Sequence, residues 1–134
     1  MGERQFGEPS LRKANVYVVD DDESVADSLV ALLGVHGLAA RHFPSADLFL
    51  RAIGSLEPGC IVLDVFMPGT DGIDALGMLR ERGIEWPAIV MTSDSDPIIA
   101  DFAWVAGAVE FVPKPYDPAI LIQKVQAQLR RLEA

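Results

Sequence analysis

The stretch Ile61-Val62-Leu63-Asp64-Val65-Phe66-Met67-Pro68-Gly69-Thr70-Asp71-Gly72 constrains the fold more than any other part of the chain. Three apolar residues without polar alternation describe a strand covered on both faces, and they deliver one carboxylate, Asp64, to the point where the strand stops. Met67-Pro68-Gly69 and Asp71-Gly72 then force the backbone into a loop before the next helix can begin. An aspartate on that lip is available for chemistry rather than for packing.

The rest of the chain repeats this strand-then-helix plan. Val16-Tyr17-Val18-Val19 reads as a first strand, running directly into Asp20-Asp21-Asp22-Glu23. Ser24 is placed to cap a helix with Val25, Leu29, Leu32 and Leu33 on one face, closed by Gly34 or Gly37. A short strand around residues 39–43 follows. Pro44-Ser45 opens a second helix that buries Ala46, Phe49, Leu50 and Ile53 and ends at Gly54 and Pro58-Gly59. Beyond the Asp64 loop, Ile73, Leu76 and Leu79 mark a third helix, stopped at Gly83. Residues 87–91 form a strand that delivers Thr92 and Ser93, and Asp96-Pro97 starts a helix running to Ala106-Gly107. Residues 109–112 form a fifth strand before Lys114-Pro115, and Asp117-Pro118 opens a last helix with Leu121, Val125, Leu129 and Leu132 facing inward. Five strands alternating with five helices imply right-handed crossovers and an α/β fold, a doubly wound parallel sheet with helices on both faces.

At 134 residues the chain is one domain with room for a real core. Residues 1–14, polar and carrying Gly2, Gly7 and Pro9, read as a mobile leader. Phe6 stands where a myristoylation signal needs Ser or Thr. No apolar run approaches the roughly 18 residues of a membrane span, and no signal-peptide pattern is present, so a soluble, cytoplasmic chain with no membrane partner is expected. The single cysteine, Cys60, cannot form an internal disulfide and reads as a core thiol. With 11 basic against 20 acidic residues and a formal charge of −9, the chain is unsuited to direct nucleic-acid binding. His36 and His42 are isolated and read as surface or internally satisfied residues. Trp86 before Pro87 reads as a packing plug, and Lys124, Arg130 and Arg131 as a solvated helix face.

The polar groups carry the functional signal. Asp20, Asp21, Asp64, Thr92 and Lys114 each stand at or just past the carboxyl end of an apolar strand, and in an open parallel sheet those ends line the ligand crevice. Three carboxylates brought together repel, which a hard divalent cation such as Mg²⁺ relieves while keeping waters for a phosphate-bearing partner. Lys114 adds a point charge and Thr92 a hydroxyl. A metal, an ammonium and a hydroxyl around one aspartate suit an incoming phosphoryl group, with Asp64 as nucleophile forming an acyl phosphate.

At these residues the sequence resembles the CheY-like receiver domain of two-component response regulators. The likeness rests on Val18-Val19-Asp20-Asp21, on Asp64 with Met67-Pro68 and Asp71-Gly72, on Thr92, and on Phe111 with Lys114-Pro115, and it covers about residues 15–132. It implies a receiver domain over residues 15–134 with the flavodoxin-like strand order 2-1-3-4-5. It implies that Asp64 accepts phosphate from a sensor histidine kinase or a phosphotransfer protein. Asp21 and Asp64 then bind Mg²⁺ directly, Asp20 acts through water, and the main-chain carbonyl of Phe66 supplies a further ligand. It also implies a cis bond before Pro115. Thr92 and Phe111 are then switch residues that remodel the face made by the fourth helix, fifth strand and fifth helix. Such a domain is no enzyme in the ordinary sense, but a phosphoacceptor switch that assists its own phosphorylation and dephosphorylation.

Two departures stand out. Phe102, Trp104 and Val105 occupy a fourth helix that usually carries charge, and the three cannot all face one core. Phe102 and Val105 either form an apolar contact, for a homodimer or another partner, or pack against a longer neighbouring loop. Asp94, two residues past Thr92, places an acid at the pocket rim. Rival classes are weaker. Asp20-Asp21-Asp22-Glu23-Ser24 mimics the Asp-x-Asp-x-Ser motif of haloacid dehalogenase-type phosphatases but leaves the Asp64 stretch unexplained, and a flavin or nucleotide binder would need a Gly-rich loop where four acids stand. Pro44-Ser45-Ala46-Asp47 and residues 107–111 resemble receivers that precede LuxR-type DNA-binding domains. The output is therefore expected to be transcription through a domain outside this chain, the alternative being a single-domain receiver acting by protein contact or as a phosphorelay carrier.

Overall fold

Because both faces of the three central strands are apolar, both faces must be covered, and the helices divide between them. The computed structural model describes residues 14–133, so the expected leader lies, except for Ala14, outside the described residues. In chain order the elements are β1 (Val16–Val19), α1 (Glu23–Val35), β2 (Ala40–Phe43), α2 (Ala46–Ala52), β3 (Cys60–Asp64), α3 (Gly72–Glu81), β4 (Ala88–Thr92), α4 (Pro97–Ala106), β5 (Glu110–Pro113) and α5 (Pro118–Glu133), with one 3-10 turn at Ile53–Ser55 after α2. The strands form a single sheet in the order β2-β1-β3-β4-β5, every pairing parallel.

Period-two alternation sorts the core into two layers. Tyr17, Val19, Ile61, Leu63, Ala88 and Val90 pack with Phe49, Leu76, Leu79 and Ala103 beneath α2, α3 and α4. Val16, Val18, Cys60, Val62, Ile89 and Met91 pack with Leu29, Leu33, Leu121 and Val125 beneath α1 and α5. Each large side chain so buried contributes about 1.5–3 kcal/mol before the entropy of ordering is charged against it. Trp86 does plug the sheet's amino edge, its ring stacked on Tyr17 at 5.6 Å between centroids. Cys60 is fully buried, and burial pushes its thiol pKa up to about 12, which leaves it inert.

Three local expectations need correction. The cap of α1 is Asp22, not Ser24: Asp22 is extended and its carboxylate accepts from the Val25 N–H, so the helix starts one residue before Ser24. The inward face of α1 is Ala26, Leu29 and Leu33, while Val25 and Leu32 sit half-buried beside Tyr116 and Pro118 along a groove. Leu132 is 37% exposed. The 16 residues of α5 extend about 24 Å, longer than the strands they cover, so the last turn outruns the sheet.

Candidate functional site

Register brings the polar ends level. Val19 pairs with Leu63, Asp64 with Met91 and Thr92 with Pro113, so the residues that follow or close β1, β3, β4 and β5 emerge along one edge. Asp20 is 1% exposed. One of its carboxylate oxygens accepts from the Asp22 N–H at 2.9 Å and the other from Lys114 Nζ at 3.1 Å. Its main-chain carbonyl lies 2.7 Å from His42 Nε2, which accounts for that histidine without a metal. Asp64, 7% exposed, sets Oδ1 3.2 Å from the same ammonium, and Asp21 is exposed beside them. Oxygens from Asp20, Asp21 and Asp64 all lie within 4.8 Å of one another.

Lys114 is placed by the end of β5, where its N–H donates to the Thr92 carbonyl at 2.8 Å and the Lys114–Pro115 peptide is cis. Thr92 is 1% exposed, and its Oγ1 accepts from the Asp94 N–H at 3.1 Å. Asp94 in turn accepts from the Asp96 N–H. Phe111 is half-buried against the layer beneath α4, and Phe66 stands 52% exposed on the β3–α3 loop.

Electrostatics follow from this geometry. Burial raises the Asp64 pKa to about 6; the Lys114 charge opposes the rise, and Asp20 and Asp21 add to it. For Lys114, burial works against the charged form, yet its hydrogen bond to Asp20 and the charges of Asp64 and Asp20 leave its pKa above the ordinary lysine value. Three carboxylates against one ammonium leave two negative charges uncompensated. A compact set of carboxylate oxygens with that deficit is the donor chemistry a hard divalent ion takes, so the residues fit Mg²⁺.

The structure thus gathers Asp20, Asp21, Asp64 and Lys114 around one point and places Thr92 on the same edge. Three contacts here had escaped the sequence reading. These are His42 on the Asp20 carbonyl, the pairing of Asp47 with Thr70, and the absence of room for a side chain at Gly72 beneath the Asp64 backbone. Only the acid in the first turn of α2 left a local signal, and nothing local pairs it with Thr70. On α4, Phe102, Trp104 and Val105 are 53%, 47% and 87% exposed, so no loop among the described residues covers them. Among the described residues, no helix is long and apolar enough to cross a membrane.

Fold and acid pocket together define a phosphoacceptor switch of known type: a family model for the response regulator receiver domain matches residues 16–126, and the chain belongs to that family. The transcriptional regulatory protein FixJ of Azorhizobium caulinodans is 45% identical over 116 residues, which is 87% of this chain and 55% of that protein. FixJ of Bradyrhizobium diazoefficiens is 37% identical over 121 residues, 90% of this chain and 59% of that protein. The chain therefore spans little more than half the length of these relatives. Among solved structures, FixJ-N aligns with a TM-score of 0.82 at 32% identity, over 90% of this chain and 96% of that one. Receiver domains bind Mg²⁺ at an acidic pocket, and Asp20, Asp21 and Asp64 make up such a pocket here.

Proposed function

We propose that Asp64 is the phosphoacceptor, taking a phosphoryl group from the phosphohistidine of a sensor histidine kinase or a phosphotransfer protein. A carboxylate oxygen of Asp64 attacks phosphorus, an O–P bond forms as the P–N bond breaks, and the electron pair leaves on the imidazole nitrogen, which is then protonated. The observation that carries this is Lys114 Nζ lying 3.1 Å from Asp20 and 3.2 Å from Asp64, inside the ring of acids. From there the ammonium can follow the charge that arrives on the phosphoryl oxygens. Asp20, Asp21 and Asp64, with the Phe66 carbonyl, would hold Mg²⁺, which neutralises phosphoryl charge and aligns the group for in-line attack. Asp20 is the weaker nucleophile, because both its oxygens are already committed; this counts against the dehalogenase-type reading, in which Asp20 would attack.

The new phosphoryl charge draws the Thr92 hydroxyl and the Lys114 ammonium inward. Space opens behind Thr92, Phe111 turns into it, and the α4-β5-α5 face is remodelled. Since the relatives are transcriptional regulators of which this chain spans little more than half, the output assigned is transcription, exerted by a part of the whole protein other than this receiver. Acetyl phosphate plus Mg²⁺ should raise the intact mass by one phosphoryl group. An unchanged mass, or turnover of a generic phosphate ester that depends on Asp20 and not Asp64, would overturn the assignment.

Two consequences belong to this reading. Ile98, Phe102 and Val105 recur at helical spacing on the solvent side of α4, an apolar stripe suited to a second receiver. With a phosphate mimic bound, Phe102→Asp is expected to raise the dimer dissociation constant about thirtyfold, as loss of a ~2 kcal/mol interface anchor would. Sedimentation velocity across a concentration series decides this, and identical profiles for the two proteins, with and without the mimic, remove the dimer. Asp94→Ala, which strips an exposed acid from the rim beside Thr92, should lengthen the life of the acyl phosphate severalfold, read as loss of phosphorylated mass with time. An unchanged lifetime means the acid plays no part in attack by water.

A further inference from the structure

The β3–α3 loop forms one wall of the pocket, and part of what holds it comes from a helix that carries none of the proposed site residues. At its ends the loop is fixed by backbone: the Val65 N–H donates to the Met91 carbonyl at 2.9 Å and the Gly72 N–H to the Val65 carbonyl at 2.8 Å. Between them, Met67 is buried in the core while Phe66 and Pro68 are exposed. The next restraint is Asp47, in the first turn of α2. Thr70 Oγ1 donates to Asp47 Oδ1 at 2.7 Å, and the Thr70 N–H reaches toward Oδ2 at 3.5 Å. Gly69 is left-handed at φ +81°, and a Cβ there would stand 2.7 Å from Asp47 Oδ2, so the loop backbone closes on the carboxylate with no side chain between. Thr70's hydroxyl, and then its N–H, hold the Asp47 carboxyl below the usual carboxylate range, which keeps it an acceptor at neutral pH. The helix that supplies it is fixed independently, by Ser45 capping the Leu48 N–H.

We infer that Asp47 is a positioning residue for the metal pocket: through Thr70 and Gly69 its carboxylate sets the loop that carries the Phe66 carbonyl beside Asp64. The inference rests on the reading that the pocket takes Mg²⁺. Neighbours that orient metal ligands without touching the ion shift affinity by roughly 10–100-fold when removed, and a loop freed between Met67 and Gly72 belongs at the low end of that range.

The test is Mg²⁺ titration by calorimetry on the whole chain, with melting curves alongside. Thr70→Val keeps the shape and loses the hydroxyl, so its Mg²⁺ dissociation constant should rise about tenfold. Thr70→Ser keeps the hydroxyl and should stay within about twofold of wild type. Asp47→Ala should weaken Mg²⁺ as Thr70→Val does, and the double variant no further, since the two residues act as one contact. Wild-type affinity in Thr70→Val, or equal loss in the Val and Ser variants, overturns the role of the contact. Additive losses overturn it too. Failure of the underlying pocket reading looks different: the wild type takes up no Mg²⁺, or Asp21→Ala binds it as the wild type does, and the proposal then falls with that reading.

Discussion

Asp64→Asn is expected to take up no phosphoryl group from acetyl phosphate and, in the presence of chelator, to melt several degrees above the wild type. The first effect follows from chemistry, because an amide nitrogen or oxygen is no substitute for a carboxylate nucleophile, and Asp20, buried with both oxygens engaged, cannot take over. The second follows from linkage. The folded carboxyl titrates near 6 against 3.8 for the free group, so the fold holds that proton more tightly than the unfolded chain does. Below both values the group is neutral in either state and costs nothing. As pH rises from about 4 to 6 the folded state resists the charge, and above 6 the whole penalty is present. A shift of about two units corresponds to about 3 kcal/mol, and the side chain is only 10% exposed, so solvent screens little of it. The attraction of Lys114 is already inside that shift, and the amide keeps only part of the gain because its NH2 group does not reproduce the hydrogen bonding of a protonated carboxyl. A net ~1–2 kcal/mol raises the melting temperature by about 5 °C in a domain of this size. The difference should shrink toward pH 4 and reverse when Mg²⁺ saturates the wild type, since only the wild type gains from binding. A melting temperature that is unchanged at pH 7.5 in chelator shows that Asp64 is not strained by its neighbours. Phosphorylation that persists in the variant removes Asp64 from its role.

How much of this was legible in the sequence depends on the range of the interaction involved. Strand identity was visible because Val16–Val19, Cys60–Asp64 and Ala88–Thr92 are apolar on both faces, a pattern that only a sheet covered on both sides rewards. The pocket was visible for the same reason: a polar residue that ends an apolar strand marks itself. Strand order was not visible in the pattern. Val19 pairs with both Phe43 and Leu63, which makes β1 interior, yet nothing local to Val19 says so, and the order came from family resemblance. The cap of α1 was misplaced because Asp22, Glu23 and Ser24 stand in a row and two of them can cap, so only the backbone angles decide. Asp47 with Thr70, and Gly72 under Asp64, were out of reach for a different reason. The first is a contact across 23 residues with no periodicity, and the second is a requirement for empty space, which a sequence records only as one more glycine beside a turn.

That empty space makes the largest stability prediction. Gly72 opens α3 directly beneath the strand that ends in Asp64; it is buried, and its N–H donates to the Val65 carbonyl at 2.8 Å. A Cβ at this position would overlap the Asp64 carbonyl oxygen, lie 3.0 Å from the carbonyl carbon and meet the Leu63 side chain at 3.1 Å. The obstruction is backbone, which cannot rotate away, so Gly72→Ala must push the end of β3 or the start of α3 aside. Overpacking of this kind costs about 1–3 kcal/mol, and a backbone obstacle puts it at the upper end. The melting temperature should fall by about 10 °C. Because the atom displaced belongs to the peptide of Asp64, the proposed phosphoacceptor, the loss should not be confined to stability. Mg²⁺ affinity should fall with it, as the Asp64 carboxylate moves off the point where Asp20 and Asp21 converge. The same helix supplies its own control. Gly77, with nothing within 4 Å of its Cβ position, should accept alanine with a gain of about 0.5–1 kcal/mol from helix propensity, and with no change in Mg²⁺ binding. If Gly72→Ala melts like the wild type, the strand end is softer than its contacts imply. A lower melting temperature with wild-type Mg²⁺ affinity would mean that the geometry of the acids is set by their side chains and not by the peptide that carries Asp64. A fall in both, with Gly77→Ala improved, ties the missing side chain at Gly72 to the chemistry one strand end away.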